Sequence, residues 1–181
     1  MRVITGIARG QKLAEPSNYD VRPTADRVKE AMFNIIQGDV EGRCCLDLFA
    51  GTGQLGIEAL SRGAASCVFV DEASAAVRLV KANLEKTSLN GGTVLQTDAL
   101  KYIENCGKFD LIFIDPPYAS GFCEKALKAI TKFDKLNPGG IIICETAADN
   151  EPGQLDEPYR KLRTYRYGKV RLTTYSKTQR G

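Results

Sequence analysis

The chain contains no histidine at any of its 181 positions. This excludes the Ser-His and Cys-His pairings that activate a nucleophile through an imidazole. It also removes the commonest metal ligand. The six cysteines, Cys44, Cys45, Cys67, Cys106, Cys123 and Cys144, form no C-x-x-C pair. Zinc and iron–sulfur spacings are therefore absent, and no metal is expected. Cys44, Cys45, Cys67 and Cys144 fall in apolar, strand-like runs and are expected as buried free thiols. No apolar stretch approaches the roughly 18 residues that a membrane helix needs. The opening "MRVITGIARG" is too polar for a signal peptide. No internal repeat, low-complexity tract or long linker is visible. The expectation is a single cytoplasmic domain over 1–181, with 1–20 as an N-terminal hairpin extension and no membrane contact.

Hydrophobic residues make up 43% of the chain and charged residues 26%, the balance of a globular protein with a sizeable core. A net charge of +3 conceals a strong asymmetry. Residues 1–30 carry six basic and four acidic side chains, residues 31–158 carry eleven and eighteen, and residues 159–181 carry eight basic and none acidic. An acidic body with a basic end suggests a polyanionic partner, although a merely solvated terminus has the same composition.

Residues 2–13, "RVITGIARGQKL", suit a small hairpin turning at Gly6 or Gly10. After a turn-like piece, Thr24 is placed as an N-cap with Asp26 in the first helical turn. Val28, Ala31, Met32, Ile35 and Ile36 follow at the spacing of one helical face. From residue 44 strands and helices alternate. The strand runs are "CCLDLF", "SCVFVD", "TVLQT", "DLIFID" and "GIIICE". The helices are expected at Gly56–Ser61, Ser74–Lys86, Ala99–Glu104 and Phe122–Phe133. The strands are continuously apolar rather than alternating, as when helices cover both faces of a sheet. "KLRTYRY" and "KVRLTTY", separated by Gly168, form a period-2 hairpin. The fold class is α/β: a Rossmann-like, doubly wound, mainly parallel seven-stranded sheet, with a C-terminal antiparallel hairpin and a small N-terminal β-hairpin.

Residues 47–56, "DLFAGTGQLG", place Gly51, Gly53 and Gly56 in a G-x-G-x-x-G string between a strand and a helix. Asp71 ends the next strand, about twenty residues on, where an acid binds ribose hydroxyls. Such a loop takes a dinucleotide or S-adenosylmethionine. Two features favour the latter. Asp47 precedes the glycines inside the strand; a carboxylate there does nothing for a pyrophosphate but attracts a cationic methionine end. Asp98, followed by Ala99, ends the third strand where it could accept from an adenine amine, cap the next helix, or do both. Ala50 and Thr52 complete the candidate cofactor loop.

At the end of the fourth strand stands "DPPY", Asp115 to Tyr118. Open α/β sheets bind ligands beyond the carboxyl ends of their strands, so Asp115 should face the same crevice as Gly51 and Asp71. "DLFAGTG" with "DPPY" resembles the S-adenosylmethionine-dependent methyltransferases that modify exocyclic amines of bases. The resemblance implies that the Asp115 carboxylate and the Pro116 carbonyl grip the target amine. Pro117 stiffens the exit, and Tyr118 stacks on a splayed-out base.

"VRPTADRVKEAMFNII" (21–36), "LDLFAGTGQLGIEALSRGA" (46–64), "FIDPPY" (113–118) and "YGKVRLTTY" (167–175) together resemble the RsmD-type bacterial enzymes. That family methylates guanine N2 in small-subunit ribosomal RNA. The resemblance implies a ribosomal RNA substrate, either naked or within an assembling small subunit, with Thr24 near the methionine end of the cofactor; a monomer is expected. Arg2, Arg9, Lys12, Arg22, Arg27, Lys169 and Arg171 are the candidate phosphate contacts. The alternatives are a DNA adenine or cytosine amino-methyltransferase, an NAD-dependent oxidoreductase, and a non-catalytic RNA-binding protein with this fold. The first lacks an obvious duplex-reading domain, and the second lacks a nicotinamide half and a histidine.

Overall fold

In the computed structural model, residues 1–16, 23–117 and 121–178 are described. Tyr118 and Arg22 lie outside them, as do the side chains of residues 17–25, Thr24 included.

Five helices and seven strands run along these residues, alternating until the last three strands, which follow one another directly. They are α1 (Pro23–Ile35), β1 (Cys44–Asp47), α2 (Gln54–Ser61), β2 (Ser66–Asp71), α3 (Ser74–Thr87) and β3 (Gly92–Gln96). There follow α4 (Ala99–Asn105), β4 (Phe109–Ile114), α5 (Phe122–Lys132), β5 (Leu136–Ala147), β6 (Tyr159–Tyr167) and β7 (Val170–Lys177). The sheet order is β3-β2-β1-β4-β5-β7-β6. β1 to β5 are parallel, and β7 inserts antiparallel between β5 and β6.

Both faces of the sheet are covered at its centre, which is why β1, β2, β4 and β5 are mainly apolar. Side chains alternate between faces. Cys45, Leu111, Phe113 and Ile143 pack with α1, α2 and α3, where the Phe33 and Phe113 rings lie 5.5 Å apart. Leu46, Leu48, Ile112, Ile114 and Ile142 pack with α4 and α5.

Several expectations are corrected. The first helix begins at Pro23, so Thr24 sits inside it rather than capping it. Proline suits a first turn, because its missing N–H would have no partner there. Cys44 is exposed, while Cys45, Cys67, Cys123 and Cys144 are buried. It opens β1, at the amino edge of the sheet where the covering layers thin out. β5 starts earlier than the "GIIICE" run. Leu136 pairs with Phe109, after which "NPGG" bulges and pairing resumes at Leu111 and Ile141.

The N-terminal hairpin is reduced to one antiparallel bridge, Arg2 with Lys12. Within it Val3 N–H donates to the Gln11 carbonyl at 3.0 Å, Gly10 N–H to the Val3 carbonyl at 2.9 Å and Leu13 N–H to the Met1 carbonyl at 3.2 Å, while other groups bond to the body of the fold. Glu58 of α2 accepts the Ile4 and Thr5 N–H groups at 2.7 and 3.0 Å. Ser61 accepts the Ala8 N–H at 3.0 Å through its hydroxyl and the Ile7 N–H at 2.9 Å through its carbonyl. Lys29 of α1 donates to the Arg2 carbonyl at 2.6 Å. Polar groups of two helices thus supplement the short ladder of the hairpin.

Candidate functional site

The sheet order reverses direction between β1 and β4, and ligands of open α/β sheets bind at such a switch point. Asp47 ends β1, Asp71 ends β2, Asp98 follows β3 and Asp115 follows β4. Parallel pairing sets all four at one end of the sheet. The sequence singled out these acids separately; the topology brings them to one crevice.

The glycine loop hangs from this edge by backbone bonds. Ala50 N–H donates to the Val70 carbonyl at 3.0 Å, and Leu48 N–H to the Phe113 carbonyl at 3.2 Å. Gly51 N–H donates to Asp71 at 2.9 Å, and the other Asp71 oxygen accepts the Ala73 N–H at 2.9 Å. Asp71 therefore holds the loop against β2. Each carboxylate oxygen keeps a further lone pair for a hydroxyl. Thr52 and Gly53 are buried, and the Thr52 carbonyl accepts from Asn83 at 2.9 Å.

Asp47 is buried. One oxygen accepts the Gly56 N–H at 3.0 Å; the other is buried with no partner. Burial pushes the carboxyl up to about 7, eased by the Gly56 bond and reinforced by the charge of Asp71. A buried carboxylate oxygen without a donor suits the ammonium end of S-adenosylmethionine. Gln54, which opens α2 directly after the loop, also has a buried oxygen with no partner. Asp98 accepts the Lys101 N–H at 2.8 Å, so the capping half of its expected double role is present; Ala99 is buried behind it.

Asp115 is half-buried, Pro116 buried and Pro117 exposed. Burial, then the charges of Glu145 and Asp47, push the Asp115 carboxyl well above the usual carboxylate range. Pro116, Pro117, Phe122, Cys123, Glu145 and Asn150 line a shallow cleft beside it.

Two residues of this region were not anticipated. Asn83 of α3 is fully buried. It accepts the Ala14 N–H at 2.7 Å and donates to the Ala14 and Thr52 carbonyls, joining the N-terminal segment to the glycine loop. Nothing in the sequence marks it. Glu145 could have been found: like Asp47, Asp71 and Asp115, it is an acid at the end of an apolar strand run.

The candidate phosphate contacts divide. Arg2, Arg9, Lys12, Arg27 and Lys169 are exposed. Arg9 belongs to the turn seated on the C-terminal end of α2, about 12 Å along that helix from the glycine loop by helical rise. Arg171 is placed differently from these. It is half-buried, donates to the Ala148 carbonyl and pairs with Glu151. It braces the turn after β5 instead of facing solvent. Among the described residues, the exposed cations of the basic end are Arg160, Arg163 and Arg166 on the edge strand β6, and Lys169 in the following turn. That turn lies at the carboxyl end of β5, where Ala147 pairs with Val170 and Ala148 N–H donates to the Lys169 carbonyl at 2.9 Å.

No described helix is long and apolar enough to cross a membrane. Among the described residues no group of three or more acidic or cysteine side chains is arranged to hold a metal ion.

Comparison with known proteins agrees with this geometry. The family model described as "Conserved hypothetical protein 95" matches residues 1–176. The chain is 37% identical over 182 residues to "Putative rRNA methyltransferase YlbH" of Bacillus subtilis, covering 98% of this chain and 99% of that one. It is 36% identical to "Ribosomal RNA small subunit methyltransferase D" of Haemophilus influenzae, over 82% of this chain and 80% of that one. The solved structure of "Putative methyltransferase yhhF" from Escherichia coli superposes with a TM-score of 0.88 at 28% identity, covering 99% of each chain. Matched from residue 1 to residue 176, the chain belongs to that family, the RsmD-like methyltransferases its sequence resembles.

Proposed function

We propose that this protein transfers a methyl group from S-adenosylmethionine to the exocyclic N2 amine of a guanine in small-subunit ribosomal RNA. The observation that carries this reading is the pairing of Asp47 and Asp115 at the ends of adjacent strands β1 and β4. One carboxylate keeps a buried oxygen for a cation, and the other directly precedes Pro116, which lines the cleft. The relatives named as ribosomal RNA methyltransferases supply the substrate class.

S-adenosylmethionine supplies a methyl group on a cationic sulfur. The chain's own residues hold both reactants. Asp47 faces the methionine end, Asp71 the ribose and Asp98 the adenine, with Thr24, Ala50, Gly51, Thr52, Gly53 and Ala99 around them. An aromatic amine is a poor nucleophile because its lone pair is delocalised into the ring. The Asp115 carboxylate and the Pro116 carbonyl each accept one N–H, which favours the pyramidal amine and aims its lone pair in line with the methyl. Such orientation with fixed dipoles is worth several kcal/mol of barrier. The proton released after transfer leaves through Asp115 or water. Pro117 and Tyr118 complete the grip, Tyr118 as a stacking face.

RNA approaches from the carboxyl edge of the sheet. Arg163, Arg166 and Lys169 hold its phosphates near the cleft, with Tyr167, 37% exposed, beside them. Arg2, Arg9, Lys12 and Arg27 extend the basic surface along α1 and the N-terminal turn, and Arg22 is a further candidate phosphate contact. The protein acts as a monomer in the cytoplasm, on the RNA of an assembling small subunit.

The test is incubation with labelled S-adenosylmethionine and undermethylated small-subunit particles, followed by mapping of the labelled base. Label on a guanine N2 is expected. Label on an adenine or cytosine, or on DNA instead of RNA, overturns the assignment.

A further inference from the structure

Resting on the amine-methyltransferase reading above, we infer that Glu145 is the residue that selects guanine, by accepting the hydrogen of its ring N1. Ile114 of β4 and Cys144 of β5 are register partners, so Asp115 and Glu145 are the next step along the two strands. Asp47 pairs with Phe113, and Phe113 with Ile143. Side-chain alternation then sets Asp47, Asp115 and Glu145 on one face, at one end, in the order β1, β4, β5. The glycine loop follows β1, so the cofactor lies on the Asp47 side. The base enters from the other side, where Glu145 lines the cleft with Pro116, Pro117, Phe122 and Asn150.

Three nucleobases carry an exocyclic amine, and the atom beside that amine differs among them. In guanine the neighbour of N2 is N1–H, a donor. In adenine the neighbour of N6 is N1, an acceptor. In cytosine the neighbour of N4 is N3, also an acceptor. Neighbouring strands stand about 4.8 Å apart, so two carboxylates on adjacent strands offer acceptors side by side. Guanine alone presents donors side by side to meet them. Adenine or cytosine would set a lone pair against a carboxylate, and a site built to pair a polar group strongly rejects an analogue that leaves it unmatched. The repulsion between Asp115 and Glu145, which helps hold the Asp115 carboxyl up, is relieved by the same donors. Asp115 and Pro116 alone would accept any of the three amines; Glu145 makes the choice.

The experiment reconstitutes small-subunit particles with ribosomal RNA carrying either guanosine or 2,6-diaminopurine riboside at the mapped target. The diaminopurine keeps the 2-amine but replaces N1–H with a bare acceptor. Wild-type protein is expected to prefer guanosine by 100-fold or more in kcat/KM. In Glu145→Gln, which keeps the shape and offers an amide donor to a bare N1, that ratio should fall at least tenfold. S-adenosylhomocysteine affinity measured by calorimetry should stay within about twofold. An unchanged ratio in Glu145→Gln overturns the assignment. So does an equal loss on both substrates, which would make Glu145 a support for Asp115 instead of a reader of the base. Failure of the guanine reading is seen separately, in the wild-type arm, as transfer to neither purine. Glu145→Ala, checked for folding by thermal denaturation, should also lose the preference, with no gain on diaminopurine.

Discussion

Asp47 accepts the Gly56 N–H at 3.0 Å with one carboxylate oxygen and keeps the other buried without a partner. The first bond ties β1 to the start of α2; the second oxygen is available to a cationic ligand. Burial raises the Asp47 carboxyl from 3.8 to about 7, so proton loss is coupled to binding. Affinity for S-adenosylmethionine should rise by up to tenfold per pH unit from about pH 5 to 7 and level off above. Stability of the ligand-free protein runs the other way. A raised carboxyl holds its proton more tightly folded than unfolded, so stability falls as pH rises from about 4 to about 7. Calorimetry and urea denaturation across pH, wild type against Asp47→Asn, check both slopes. Asp115, shifted in the same direction, leaves a residual slope in the variant.

Gly56→Ala should destabilise the fold by about 1–3 kcal/mol. A Cβ at Gly56 would lie 2.3 Å from a ring carbon of Phe69 and 2.7 Å from the Cys67 sulfur. Both neighbours are buried in the core and cannot swing aside. The shift is read from the urea midpoint at constant slope.

Asp115→Asn should leave cofactor affinity nearly intact while transfer to RNA drops by about 10²–10³, the usual cost of losing one preorganised electrostatic partner. Single-turnover transfer and calorimetry separate the two. Transfer at the wild-type rate would remove Asp115 from the amine site.

Asn83→Ala should cost about 2–4 kcal/mol, because it strands the buried Ala14 N–H and the Thr52 carbonyl. It should also weaken cofactor binding, since Thr52 lies in the glycine loop. Thermal denaturation with and without S-adenosylhomocysteine tests this. A stability loss without any change in affinity would make Asn83 a purely structural clasp.

Arg163→Ala and Arg166→Ala should each reduce the slope of log RNA affinity against log salt by a little under one. Arg171→Ala should leave that slope unchanged and lower thermal stability instead, since its guanidinium is committed to Ala148 and Glu151. Filter binding across a salt series distinguishes the three.

The path from residues to fold was largely open in the sequence. Continuous apolar runs such as "DLIFI" mean burial on both faces, and the helical spacing of Val28, Met32 and Ile35 means one covered face; both are local patterns. The ligand-binding edge was equally visible, because an acid that ends such a run must emerge at a strand terminus. Contacts between segments distant in sequence were hidden. "RVITGIARGQKL" has the composition of a hairpin and keeps a short one, yet the N–H groups of Ile4, Thr5 and Ala8 go to Glu58 and Ser61, more than fifty residues away. Arg171 sits in a basic run and looks like a phosphate ligand, yet Glu151 and the Ala148 carbonyl take it.

The sequence by itself determined the element types, the glycine loop, the acidic strand ends and the Asp115–Pro116 pair that we propose grips the amine. Each is written in a span of ten residues or so, at the scale where backbone geometry and side-chain periodicity act. Only the tertiary structure decided that β1, β4 and β5 stand side by side, because strand order depends on crossovers between distant segments. That adjacency lines up Asp47, Asp115 and Glu145 on one face of the sheet. On the reading we propose, it turns three separate acids into a cofactor end, a transfer point and a reader of the base.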